Sequence, residues 1–202
     1  MISIYTQLLG RRCGNLLDPD AHDFIKYTLD GTQRMEMLLR DLLAYTQAVN
    51  IRGTPDRRAE SREALQKAVA NLQTMIEKTD ATIRVGELPA VRAYDVHLVQ
   101  LFQNLVGNAL KYRSSAPPMI EIGAEPENDC WRFSVQDNGI GIAPRFHEQV
   151  FGLFKRLHSA QEYPGTGIGL AICQKLVERY GGRIWLESDE GRGTTFFFTL
   201  PA

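Results

Sequence analysis

From Ala21 to about Asn50, Phe24, Thr28, Gly31, Met35, Leu38, Leu42, Tyr45 and Val49 recur in steps of four and three. That heptad seam predicts one long helix, and Ile25, Leu39 and Leu43 widen its apolar stripe. Residues 2 to 13 predict a shorter helix through Ile2, Tyr5, Leu8, Leu9 and Arg12. Gly14-Asn15 can end it, and Asp18-Pro19 can start the next, with Asp as N-cap and Pro in the first turn. The stripe is wider than one hairpin partner can cover. Two hairpins pairing into a four-helix bundle would bury it; packing on the chain's own globular part is the other reading. The first helix begins abruptly at Met1, as though it followed a longer segment.

Residues 51–61 carry Gly53, Pro55 and a charge cluster and read as a linker. Helical spacing returns over 62–79, with Leu65, Val69, Leu72 and Ile76 on one face. Short strands are expected at 81–85 and 90–93, and Asp95 opens a strong helix to about Tyr112. Val96, Leu98, Leu101, Phe102, Leu105 and Ala109 supply that helix's core side. Met119 to Ala124 predicts a strand, and Cys130 to Gln136 another, with Trp131, Phe133 and Val135 alternating against Arg132, Ser134 and Gln136. Residues 138–164 read as a mobile segment with one short helix near 146–154. A helix over 170–180 stops at Gly181-Gly182, and strands over 183–187 and 194–200 close the chain.

Composition narrows the choices. An apolar fraction of 44% is enough for a core, and a net charge of −1 provides no field to recruit nucleic acid or anionic membrane. Three widely spaced cysteines point away from a disulfide framework and towards a reducing, cytoplasmic setting. No apolar run reaches the roughly 18 residues of a membrane span.

Two glycine blocks carry the chemistry, Asp137-Asn138-Gly139-Ile140-Gly141-Ile142 and Gly165-Thr166-Gly167-Ile168-Gly169-Leu170. Asp137 shares parity with Trp131, Phe133 and Val135, so its carboxylate is expected on the apolar side, where it needs donors. Glycines let a flat ligand approach the backbone. The second block opens a helix, whose free N–H groups and dipole suit a phosphate. A base acceptor beside a phosphate cradle suggests a purine nucleotide site. On the helix over 95–112, Asn104, Asn108 and Lys111 lie at i, i+4 and i+7 along one edge. An asparagine in a helix is worse than alanine by up to about 0.7 kcal/mol, so two of them invite a second reason. An Asn oxygen suits Mg²⁺ that shares nucleotide phosphates, and Lys111 can neutralise phosphate charge.

Five motifs in order strengthen this reading: NLVGNALKY (104–112), DNGIGI (137–142), VFGLFKRL (150–157), GTGIGL (165–170) and GRGTTF (191–196). They resemble the N, first glycine, F, second glycine and third glycine boxes of sensor histidine kinases. The wording looks closest to the phytochrome-associated, soluble-sensor type. The resemblance covers residues 62–202 as a catalytic ATP-binding domain, and residues 1–50 are similar to a partial dimerisation and phosphotransfer hairpin. It implies an α+β Bergerat-type sandwich, a mixed sheet under three helices, preceded by a hairpin that dimerises into a four-helix bundle. By this resemblance Asp137 accepts from the adenine amino group, Asn108 coordinates Mg²⁺, and Lys111 and Tyr112 face the phosphates. Gly139, Gly141, Ile142, Gly165, Thr166, Gly167, Gly169 and Leu170 shape the lid hinges and the phosphate contacts. Thr195 approaches the adenine end. Arg156 and His158 are lid candidates for phosphate, while Phe151 and Phe154 anchor the lid on the core.

Related ATPases place a water-activating Glu four residues before the metal-binding Asn. Here that position is Asn104, an amide that cannot take a proton at neutral pH. Asn104 and Lys111 are therefore expected to serve phosphoryl transfer to a separate imidazole. The family's phosphoacceptor box would lie upstream of Met1. His22-Asp23 lacks a following Pro and is read as helix-start residues, His97 as surface polar, and His147 as part of the lid. The expected function is the kinase core of a homodimer that uses ATP and Mg²⁺ and whose product is relayed to a response regulator receiver domain. The alternative is a non-catalytic nucleotide-binding module, or pseudokinase, that docks the regulator.

Overall fold

The computed structural model describes residues 1–13, 17–50, 58–157, 163 and 165–202. Two helices, α1 (Ile2–Cys13) and α2 (Pro19–Asn50), form the hairpin that the heptad spacing predicts. Asp18 Oδ1 accepts from the Ala21 backbone N–H at 2.8 Å, the N-cap expected there. No residue of α1 is buried, and Phe24 and Leu39 of α2 are 67% and 62% exposed. One strip of α2 is covered by the rest of the chain: Leu38 and Tyr45 pack against Ile168, Ile172 and Leu176.

The stretch read as a linker ends earlier than expected. Strand β1 (Ala59–Glu60) is already paired, and Ser61 is fully buried at the start of α3 (Ser61–Asn71). Gly53 and Pro55, like Gly14-Asn15, lie outside the described residues. The single helix expected over 62–79 is two, α3 and α4 (Gln73–Thr79), broken at Leu72, whose ψ of 3° leaves the helical range. After β2 (Thr82–Val85) and β3 (Ala90–Val91) comes α5 (Asp95–Lys111). Strands β4 (Met119–Glu127) and β5 (Cys130–Asp137) form a hairpin through Asn128, whose φ of 56° suits a two-residue turn. Two single 3₁₀ turns, Pro144–Phe146 and Gln149–Phe151, replace the short helix expected near 146–154. Helix α6 (Gly169–Arg179) and strands β6 (Ile184–Asp189) and β7 (Gly193–Pro201) complete the chain.

The main sheet runs β2-β4-β5-β7-β6, parallel between β2 and β4 and antiparallel elsewhere. This mixed sheet with helices on one face is the expected α+β sandwich. Its centre is aromatic: Phe133 of β5 and Phe198 of β7 stack at 4.8 Å, and Phe102 of α5 meets both edge-on near 6 Å. All three are fully buried, so α5 is clamped to the middle strands. One sequence expectation for α5 is reversed. Val96 is 61% exposed and His97 is buried, because His97, Leu101 and Leu105 share a face at i, i+4 and i+8. The His97 ring nitrogen Nδ1 is hydrogen-bonded to the Tyr180 hydroxyl at 2.6 Å, and that oxygen accepts from the Tyr94 N–H. Burial, then the nearby Arg179 charge, lowers the His97 pKa to about 4, so the ring is a neutral strut between α5 and α6.

Candidate functional site

Period-two alternation carries Asp137 to the helix-facing side of the sheet, as its parity predicts, opposite Thr194 in the β5–β7 register. Its Oδ1 accepts two backbone N–H groups, from Gly139 at 2.8 Å and Thr194 at 3.2 Å. Burial raises the Asp137 pKa, and these two donors oppose that shift. One carboxylate oxygen is thus held by backbone, which orients the other for a ligand. Asp137, Ile140, Gly141, Ile142, Val150, Leu157, Leu170, Thr194 and Phe196 line a cleft partly open to solvent. Asn108, Tyr112, Lys155 and Arg156 complete its wall. An apolar slot with one oriented acceptor suits a flat heterocycle bearing an amino group.

A second cavity continues from the first, sharing Asn108, Tyr112, Val150, Lys155 and Leu170. Its own lining is Lys111, Gly165, Thr166, Gly167, Gly169 and, from α2, Met37. The Lys111 Nζ donates to the Tyr112 hydroxyl at 2.8 Å and lies 4.3 Å from that ring's centre. Burial, then the charge of Arg156, lowers its pKa to about 8. Asn108 stands at the junction of the cavities, and its side-chain amide makes no hydrogen bond among the described residues. A neutral amide oxygen beside a cationic cavity fits a Mg²⁺ ion that arrives with phosphates.

Several expected site residues do other work. Asn104 lines neither cavity; its Nδ2 donates to the Gly169 carbonyl at 3.2 Å, tying α5 to the start of α6. Gly139 is required by protein rather than ligand, because a Cβ there would collide with the Tyr112 carbonyl oxygen. Gly141 has a φ of 71°, and a Cβ on it would strike the Asp189 backbone. Thr195 pairs with Gln136 and Glu187 and lines neither cavity; its neighbour Thr194 does, since adjacent strand residues face opposite sides. Arg156 lines the base-side cleft and donates to the Tyr163 carbonyl at 2.7 Å. Phe151 meets Phe196 edge-on at 6.4 Å, as an anchor should, whereas Phe154 is 58% exposed. His147 bonds the Ile142 carbonyl, His22 bonds the Asp18 carbonyl, and His158 lies outside the described residues. Ile140, Val150, Lys155, Leu157, Thr194 and Phe196 line the cleft beyond the expected residues, and all six stand inside the quoted motifs; Met37, which lines the second cavity, lies outside them.

A mixed sheet roofed by α5 and α6, with a carboxylate at one end of the cleft and a glycine-lined cationic cavity at the other, defines an ATP-binding domain. The chain belongs to the histidine kinase-, DNA gyrase B- and HSP90-like ATPase family, whose model matches residues 93–202. Among curated relatives it is 48% identical over 200 residues to Cyanobacterial phytochrome A of Nostoc sp. (strain PCC 7120 / SAG 25.82 / UTEX 2576), covering 99% of this chain and 26% of that protein. It is 45% identical over 204 residues to Phytochrome-like protein Cph1 of Synechocystis sp. (strain ATCC 27184 / PCC 6803 / Kazusa), covering 99% and 27%. The chain thus spans about a quarter of these relatives. The full-length ShkA structure, in complex with AMPPNP, superposes with a TM-score of 0.72 at 21% identity, over 99% of this chain and 42% of that one. Family and relatives together make this an ATP-binding domain of the sensor histidine kinase type.

Proposed function

We propose that the chain transfers the γ-phosphoryl group of Mg·ATP to a histidine on a helical segment, for relay to an aspartate of a response regulator receiver domain. The observation that carries this is the carboxylate of Asp137, held on one oxygen by two backbone N–H groups at the end of an apolar cleft. Its other oxygen accepts from the adenine amino group. Along the shared wall, Asn108 would hold Mg²⁺, which neutralises phosphate charge when bound, and Lys111 adds its own cation at the same end. None of the described residues offers a carboxylate in the place of Asn104, so water is not activated there and transfer to a positioned imidazole is favoured. The described histidines line neither cavity.

Met37 supports a second reading. It brings α2 to the phosphate-side cavity, so nucleotide could set the hairpin's position without chemistry, making the chain a docking module for the regulator. Labelled Mg·ATP, a helical peptide bearing a histidine–acid pair, and the wild-type and Asp137→Asn chains separate the readings. Labelled peptide with wild type only supports the kinase; nucleotide retained without transfer supports the docking module. Asparagine would direct its N–H₂ at the adenine amino group, so the variant should lose nucleotide at least 100-fold. Its melting temperature should hold, since a desolvated charge is removed. Undiminished binding by the variant would defeat the site assignment.

A further inference from the structure

Behind the base-side cleft, one hydroxyl ties three pieces of backbone together. Ser188 of β6 accepts from the Ile142 N–H at 2.8 Å and donates to the Gly193 carbonyl at 2.8 Å. It also lies 3.0 Å from the Thr194 hydroxyl. A serine hydroxyl has one hydrogen and two lone pairs. Its hydrogen goes to Gly193 and one lone pair to Ile142, so the Thr194 hydroxyl must be the donor in the remaining contact. The Thr194 oxygen is then left with lone pairs and no hydrogen, on a residue that lines the cleft beside Asp137.

We infer that Ser188 is a specificity-determining positioning residue: by fixing the polarity of the Thr194 hydroxyl, it makes the cleft accept a 6-amino purine and reject a 6-oxo purine. This rests on the nucleotide reading of the site. An amino group meets two acceptors, the Asp137 carboxylate and the Thr194 oxygen. A 6-oxo group meets the same two acceptors with lone pairs of its own, and unpaired buried polar groups are what such sites use to exclude an analogue. Without Ser188 the Thr194 hydroxyl is free to turn and donate to the oxo group.

The test is calorimetric binding of ADP and inosine diphosphate to the whole chain. Ser188→Ala should weaken ADP, because the Ile142 loop loses its acceptor, and should lower the ADP-to-IDP preference at least tenfold, about 1.4 kcal/mol. In a Thr194→Val background the same substitution should leave the preference unchanged, since no rotor remains to be released. If Ser188→Ala does not fold, Ser188→Cys carries the test, its weaker donor and acceptor giving an intermediate preference. Equal weakening of both diphosphates would reduce Ser188 to a structural tie and overturn the proposal alone. A preference change that survives loss of the Thr194 hydroxyl would also overturn it. A wild-type chain that takes neither diphosphate would remove the nucleotide reading and the proposal together.

Discussion

Lys111 is half-buried beside Tyr112 and near Arg156, and its pKa of about 8 is low for a lysine because both surroundings penalise its charge. Phosphate favours the charged form, so a bound nucleotide pulls that pKa back up. Two consequences follow in the same window. Affinity for ADP should fall as pH rises from 7 to 9, and binding near pH 8 should take up protons. Titration calorimetry in buffers of different ionisation enthalpy reads the uptake directly, and Lys111→Arg should abolish it. Proton release on binding would mean that phosphate does not reach Lys111. Asn104 teaches the opposite lesson at this scale. Its spacing from Asn108 suggests a shared site, yet its amide serves the Gly169 backbone, and the motif spacing alone does not separate these roles.

Helix α6 joins the nucleotide wall to the hairpin. Its inner face carries Cys173 and Val177 into the main core, while Ile168, just before it, joins Ile172 and Leu176 in a separate cluster with Leu38 and Tyr45 of α2. Because Gly169 at its start lines the phosphate-side cavity, whatever moves α2 pulls on that wall. Leu38→Asp places an unpaired carboxylate against Ile172 and Leu176, which costs more than the contact gains. Amide exchange in α6 should then quicken while β5 and β7 keep their protection, as hydrogen-exchange mass spectrometry would read. Unchanged exchange in α6 would mean that the strip contributes nothing to the helix. Leu38 is only partly covered, so Leu38→Ala should cost less than the ~2–5 kcal/mol of a fully buried leucine.

On the scale of the whole molecule, the hairpin exposes more apolar surface than a lone helix pair sustains: Ile2, Tyr5, Phe24, Tyr27, Leu39 and Leu43 all face solvent. We therefore propose a dimer through these faces. Light scattering should give twice the 22.8 kDa chain mass at micromolar concentration. Phe24→Glu with Leu39→Glu should return it to one copy without lowering the melting temperature of the sheet domain. A single-copy mass for the wild type at every concentration would reject the bundle. No helix among the described residues is long and apolar enough to cross a membrane.

Periodicity alone determined most of the elements and the side of the sheet on which Asp137 stands, because side-chain direction along a strand or helix is set by local backbone geometry. It placed two of the three rings of the aromatic centre, Phe102 and Phe133, on apolar faces, whereas Phe198 joined them only through the β5–β7 pairing. The five spaced motifs likewise bracketed every residue that lines the cleft. Tertiary structure decided what no local rule contains. The Tyr180 hydroxyl that meets the buried His97 and the docking of α2 on α6 depend on partners tens of residues away. Gly139 and Gly141 belong to the same class: their motif was legible, but what crowds them is the Tyr112 carbonyl and the Asp189 backbone, brought there only when the sheet and α5 close on one another.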